Sequence, residues 1–172
     1  MERGLRAVRV VTGRRVAALA AFTLLLQSCG LPARTRSMFG GSLPVEVTVA
    51  SDVNQQSPIA VDLLVVYERP VLEALRELTA KDWFEQREQL RRDHPGAFEA
   101  WSWEWVPGQD VPTQELHYGV GAKAGIVFAD YFTPGSHRAV LDPHRPIRLA
   151  LGRDDFVVAP REEGDNSGRR TE

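Results

Sequence analysis

The stretch VEVTVASDVNQQSPIAVDLLVVY, residues 45–67, decides the fold of this chain. Valines alternate with polar or small residues over 45–50, which is the period of a β-strand with one buried face. Apolar residues alternate again over 59–67 and occupy both faces in the second half, which predicts a central strand. The segment from Asp52 to Pro58 is rich in turn formers, and we expect it to join the two strands as a hairpin.

Further short apolar segments follow, separated by turns rich in Pro and Gly. Their pattern predicts strands at 101–105, 125–132, 145–151 and 156–159. One helical insertion over 70–94 interrupts them; it begins at Pro70 and continues from a capping box at Thr79–Asp82. Short strands with a single helical insertion predict a mainly β fold, a small antiparallel β-sandwich.

The N-terminus has the layout of a secretory signal peptide. Five Arg precede an apolar run at 16–26, which is too short for a spanning helix of about 20 residues. Leu26-Gln27-Ser28-Cys29 then resembles a bacterial lipobox, in which the Cys carries lipid and the chain is cut before it. The resemblance implies a signal peptide over 1–28 and a palmitate-bearing anchor on Cys29. The alternative is a secreted protein with one free thiol.

The rest of the chain divides by composition. Residues 29–44 lack periodicity and are predicted to form the lipidated Cys and a flexible tether, residues 45–159 the β-sandwich domain, and residues 160–172 a disordered tail. Leu31 is not the Asp that retains lipoproteins in the inner membrane, which favours the periplasmic face of the outer membrane. Because residues 29–172 carry a net charge of −6, a nucleic-acid partner is not expected.

No residue pattern points to catalysis or to a metal. The four histidines have no zinc-motif spacing, no G-x-S-x-G sequence is present, and the one Cys is assigned to lipid. We therefore expect no enzyme activity, no catalytic residue, no metal site and no cofactor. A periplasmic hydrolase would require acidic or His side chains that converge in a cleft.

Three tryptophans are the most unusual local feature. Trp101, Trp103 and Trp105 alternate along one predicted strand and therefore project to the same face. That face either packs into the sandwich, where each ring buries a large apolar area, or forms an exposed platform for a glycan or peptide. The second interpretation supplies an alternative function, a ligand-binding periplasmic lipoprotein.

With these features placed, the chain resembles the outer-membrane lipoprotein of the type VI secretion system, the TssJ/SciN/VasD family. The resemblance rests on the lipobox and on residues 45–67, where an Asn-containing loop closed by Ser-Pro separates two strands and the second ends in Tyr. Asp82-Trp83-Phe84, Pro107-Gly108 and the late apolar strand occupy matching places. The helical insertion and the Trp-rich strand have no counterpart that we can match, which indicates a divergent member.

The resemblance implies a transthyretin-like β-sandwich that acts as a non-catalytic scaffold. Such lipoproteins bind the periplasmic region of the IcmF-like inner-membrane subunit (TssM). In the family, the loop between the first two strands contributes to that contact. In this chain the corresponding partner-binding residues are Asp52, Val53, Asn54, Gln55, Gln56 and Ser57.

Overall fold

The computed structural model describes residues 40–161, and these form eight strands and two helices. The strands are β1 (Gly41–Val49), β2 (Ile59–Val66), β3 (Phe98–Trp105), β4 (Gln114–Tyr118), β5 (Ala124–Ala129), β6 (Arg138–Leu141), β7 (Ile147–Leu151) and β8 (Phe156–Pro160). The helices, α1 (Arg69–Glu77) and α2 (Ala80–Asp93), lie between β2 and β3. The short turn Val53–Gln56 lies between β1 and β2.

Two four-stranded sheets form the sandwich. Sheet A has the order β4-β1-β7-β8 and sheet B the order β3-β2-β5-β6. The pair β1–β7 is parallel and every other described pair is antiparallel. The mainly β sandwich with a helical insertion, predicted from the sequence, is confirmed. The central position of β2 is confirmed as well, since it pairs with both β3 and β5.

The predicted hairpin between the first two strands is wrong, because β1 belongs to sheet A and β2 to sheet B. In each of the two strands the alternating apolar side chains face the opposite sheet. The connection between β1 and β2 therefore crosses from sheet A to sheet B. Val45, Val47 and Val49 of β1 pack in the same core cluster as Ile59, Val61 and Leu63 of β2. The two strands therefore meet through side chains and not through ladder hydrogen bonds.

Two boundaries also differ from the predicted domain limits. The strand β1 starts at Gly41, inside the predicted tether, and β8 ends at Pro160, inside the predicted tail. Pro44 is tolerated because the first half of β1 pairs on one side only, with β4. Residues 41–44 thus belong to the folded domain, and Arg161 still donates its backbone N–H to the Pro146 carbonyl oxygen.

The helical insertion covers the outer face of sheet B. Trp83 of α2 is fully buried, stacks on Phe128 at a centroid distance of 5.2 Å and meets Phe98 edge-on. The buried Asp62 carboxylate accepts a hydrogen bond of 2.9 Å from Trp83 Nε1 and one of 3.1 Å from Arg87. Removing one partner of a buried ion pair costs about 3–5 kcal/mol, so this triad fixes α2 to the sheet.

Candidate partner-binding site

Strand direction gathers four connections at one end of the sandwich. Cross-strand pairs such as Ile59 with Trp105, Val61 with Ala129, and Val49 with Leu151 fix this arrangement. The connections comprise residues 50–58, 106–113, 130–137 and 152–155, and we call this region the loop end. Nine residues of β1 separate it from Gly40, a span of roughly 30 Å at about 3.3 Å per residue.

The turn in the first connection has a rare backbone conformation. Asn54, Gln55 and Gln56 have φ values of 44°, 56° and 65°, so three successive non-glycine residues lie in the left-handed region. A left-handed conformation costs roughly 1–2 kcal/mol for an ordinary residue. Strain of this kind persists only where surrounding contacts impose it, and it concentrates at functional sites.

The buried side chain of Asn54 imposes this conformation. Only 1% of Asn54 is exposed. Its Nδ2 donates to the Pro58 carbonyl oxygen at 2.9 Å, and its Oδ1 accepts from the Phe132 backbone N–H at 2.8 Å. Asn tolerates positive φ better than most residues. Asn54 therefore closes its own loop and joins it to the connection between β5 and β6.

A second buried polar residue joins that connection to the next. The Nε2–H of His137 donates to the Thr133 carbonyl oxygen at 2.8 Å, and Nδ1 lies 3.0 Å from Asp155 Oδ1. The Thr133 hydroxyl donates to the Asp154 carbonyl oxygen at 2.7 Å. The backbone N–H of Gln55 also donates to the Arg153 carbonyl oxygen. Hydrogen bonds thus link the connections 50–58, 130–137 and 152–155 to one another.

The predicted partner-binding residues therefore do not all face solvent. Val53 and Asn54 are buried, Asp52 and Ser57 are partly buried, and Gln55 and Gln56 are exposed. The buried pair shapes the loop, whereas the two glutamines present its surface.

Phe132 is a residue that the sequence analysis assigned wrongly. It was predicted to end the strand over 125–132, but β5 ends at Ala129, and Phe132 lies in the following loop with 70% of its surface exposed. No other large apolar side chain among residues 40–161 is as exposed. Asp130 and the pair Pro134-Gly135 around it are turn formers, and they were the available signal.

The tryptophan face lies toward the interior of the sandwich. Trp105 is buried, and Trp101 and Trp103 are partly buried against the core between the two sheets. Trp103 stacks on Trp105 with ring centroids 5.4 Å apart. The predicted common face of these residues is thus the packed face of β3, and it is not an open aromatic platform.

The remaining expectations concern the lipidated N-terminus, metal binding and membrane-spanning helices. Cys29 and the signal peptide lie outside the described residues, as does most of the predicted tail. Within residues 40–161, no group of three His, Cys, Asp or Glu side chains is arranged to hold a metal ion. None of the helices in that range combines the length and apolar character needed to cross a membrane.

Comparison with known proteins identifies the class of fold. No protein-family model matches the sequence, and no curated protein is significantly similar to it. Solved structures of type VI secretion lipoproteins do match, which confirms the fold that the sequence resemblance implied.

The T6SS lipoprotein TssJ1 from Pseudomonas aeruginosa superposes with a TM-score of 0.54 at 15% identity, over 72% of this chain and 98% of that one. Lip from Serratia marcescens, a membrane-bound component of the type VI secretion system, gives 0.54 at 14% identity, over 72% and 99%. A chain in the structure of the T6SS protein TssM C-terminal domain from EAEC gives 0.52 at 14%, over 70% and 98%. At these identities the comparisons establish the fold alone.

Proposed function

We propose that this protein is a lipoprotein of the type VI secretion membrane complex, anchored by Cys29 to the periplasmic face of the outer membrane. In this proposal it is a non-catalytic scaffold whose loop end binds the periplasmic part of the IcmF-like inner-membrane subunit (TssM). Two solved relatives are themselves type VI lipoproteins, and one of them is membrane-bound. Those descriptions support the assignment together with the lipobox of this chain.

The strained turn at Asn54–Gln56 carries the proposal. It lies at the opposite end of β1 from Gly40, so the upstream segment joins the sandwich at the end opposite to the loop end. The strain costs stability and is maintained by buried hydrogen bonds. A loop held in this manner pays little ordering entropy when it binds, and such preorganisation raises affinity.

Affinity purification of the full-length protein from detergent-solubilised envelopes, followed by mass spectrometry, tests the assignment. We expect recovery of a large IcmF-like inner-membrane protein. The double substitution Gln55→Ala and Gln56→Ala should reduce that recovery, whereas Thr48→Ala, exposed on β1, should not. Absence of the IcmF-like protein from the wild-type sample would refute the partner assignment.

Lipidation has a separate test. Cys29→Ser should abolish labelling by radioactive palmitate and release the protein from outer-membrane fractions, because the thiol is the only attachment point that the lipobox provides. Ser28→Ala leaves the thiol in place and should retain the label. Persistent labelling of the Cys29→Ser protein would contradict the anchor.

A further inference from the structure

Phe132 and the residues around it form a second part of the loop end. The ring is 70% exposed, while the Phe132 backbone N–H is held by the buried Asn54 side chain. Val106, in the connection between β3 and β4, is 51% exposed at the same end. The backbone N–H of Gly108 in that connection donates to the Ala50 carbonyl oxygen. The exposed apolar groups are therefore presented by fixed and mutually bonded loops.

The charged side chains at this end are mostly acidic. Arg153 is the one Lys or Arg in the four connections, and it lies 3.8 Å from Asp154. The acidic residues of these connections, all at least partly accessible, are Asp52, Asp110, Asp130, Asp154 and Asp155. By contrast, the outer face of sheet A carries charges of both signs, since Glu46 pairs with Arg148 and with Arg161 at 3.4 Å each.

We infer that the loop end docks a protein surface that has an apolar pocket rimmed by Lys and Arg, and that Phe132 is the anchor of this contact. Aromatic side chains that fill a pocket dominate the energy of protein interfaces, and a surrounding rim of opposite charge speeds association and selects the partner. This inference deepens the proposed function, because it gives the chemistry of the surface that the scaffold would recognise.

Photo-crosslinking in intact cells tests the inference with the full-length protein. The photoreactive residue p-benzoyl-phenylalanine replaces Phe132 in one strain and Val120 in another; Val120 is 58% exposed between β4 and β5, at the opposite end of the sandwich. We expect an adduct at position 132 and none at 120, and the partner peptide in the adduct should carry an excess of Lys and Arg. No adduct at 132, equal adducts at both positions, or a peptide without basic excess would overturn the inference.

The identity of the captured protein separates this inference from the proposed function. A basic peptide from a protein other than the IcmF-like subunit would uphold the docking surface and refute the proposed partner. If the IcmF-like subunit copurifies but no adduct forms at 132, the proposed partner is upheld and Phe132 is refuted as the anchor.

Measurements with the purified partner then separate the apolar and charged contributions. Phe132→Ser should weaken binding about 30-fold, which is the effect of losing a hot-spot side chain, whereas Val120→Ser should leave the affinity within about 2-fold. Asp130→Asn together with Asp154→Asn should slow association at low salt and flatten its salt dependence. An unchanged affinity for Phe132→Ser, with the thermal midpoint also unchanged, would refute the anchor.

Discussion

At the end of the sandwich where β1 begins, tyrosine rings pack directly against glycine backbone, whereas at the loop end buried polar side chains hold the backbone of the connections. Tyr118 lies opposite Gly41 in the ladder, and its hydroxyl donates to the Pro143 carbonyl oxygen at 2.9 Å. At the loop end, Asn54 and His137 each bond a backbone group of their own connection and one group of a neighbouring connection. Close packing of side chains therefore fixes the structure at the first end. At the loop end hydrogen bonds fix the structure, and neighbouring side chains remain exposed to solvent.

This difference separates stability from recognition. Where close packing fixes the structure, an added atom disrupts the core but leaves the exposed surface unchanged. Where hydrogen bonds to backbone specify it, the loss of one side chain changes the position of residues that face solvent. Substitutions at the two ends should therefore differ in how they divide between unfolding free energy and partner affinity.

The largest expected effect is on stability, at the packed end. In Gly41→Ala, the new methyl group would overlap the Tyr118 phenol, which its bond to Pro143 restrains. Overpacking costs about 1–3 kcal/mol, and we expect the upper part of that range. Urea denaturation measures the loss, and Thr48→Ala on the same strand serves as the control. Partner affinity at low temperature, where both proteins are folded, should be unchanged.

Asn54→Ala should affect both quantities. It removes the part-buried hydrogen bonds to the Phe132 backbone N–H and the Pro58 carbonyl oxygen, each of which contributes about 0.5–1.5 kcal/mol. Affinity should fall as well, because the turn and Phe132 lose their common support. Gln55→Ala keeps the buried bonds and should lower the unfolding midpoint far less. Equal stability losses in the two variants would show that Asn54 does not hold the loop.

The sequence allowed the layers of the sandwich to be predicted better than its edges. The capping box at Thr79 and Asp82 was identified from the residues, and both of its hydrogen bonds are present. The short strands β4 and β6 were not predicted, because an edge strand with one polar face gives a weak period over four or five residues. The start of β1 resembles a tether in composition, and it becomes a strand by pairing with β4, which lies far along the chain.

The candidate site was predictable in position but not in form. Turn formers located the connection at Asp52–Ser57, since their preferences are local. The left-handed turn and the burial of Asn54 depend on the Phe132 backbone, 78 positions further along the chain. No local pattern encodes such a contact, which explains why the burial of Asn54 was not predicted.

The two ends should also respond differently to alkaline pH. Burial, followed by the hydrogen bond to Glu99, raises the pKa of Tyr67 from 10.0 to about 12. A raised pKa means that the hydroxyl stabilises the fold fully below pH 10 and that this contribution disappears as the pH rises to about 12. Tyr67→Phe should therefore lower the unfolding free energy by about 1 kcal/mol near neutral pH through its lost hydrogen bonds. The difference in unfolding free energy between the unmodified protein and Tyr67→Phe should shrink between pH 10 and 12.

Tyr131→Phe at the loop end is the counterpart of that substitution. The Tyr131 hydroxyl is buried and makes no well-aligned hydrogen bond among residues 40–161, because the neighbouring Gly152 backbone N–H donates to the Asp155 carbonyl oxygen. Burial also raises the pKa of Tyr131. Near neutral pH its removal should leave stability unchanged or slightly higher, since no bond is lost. A loss as large as that of Tyr67→Phe would show that this hydroxyl is bonded in solution.

The smallest expected change in stability is at Gln55, and its sign makes it informative. Gln55→Gly removes the left-handed strain at φ 56°, worth about 1–2 kcal/mol, but it adds about 0.5–1 kcal/mol of chain entropy to the unfolded state. The unfolding free energy should therefore rise by about 0.5 kcal/mol or stay constant. Partner affinity should fall nonetheless, because the glycine loop samples more conformations and must be ordered on binding. Thermal denaturation and calorimetric titration of the same protein measure the two changes. If stability and affinity rise together, the strained turn is not the preorganised binding element that we propose.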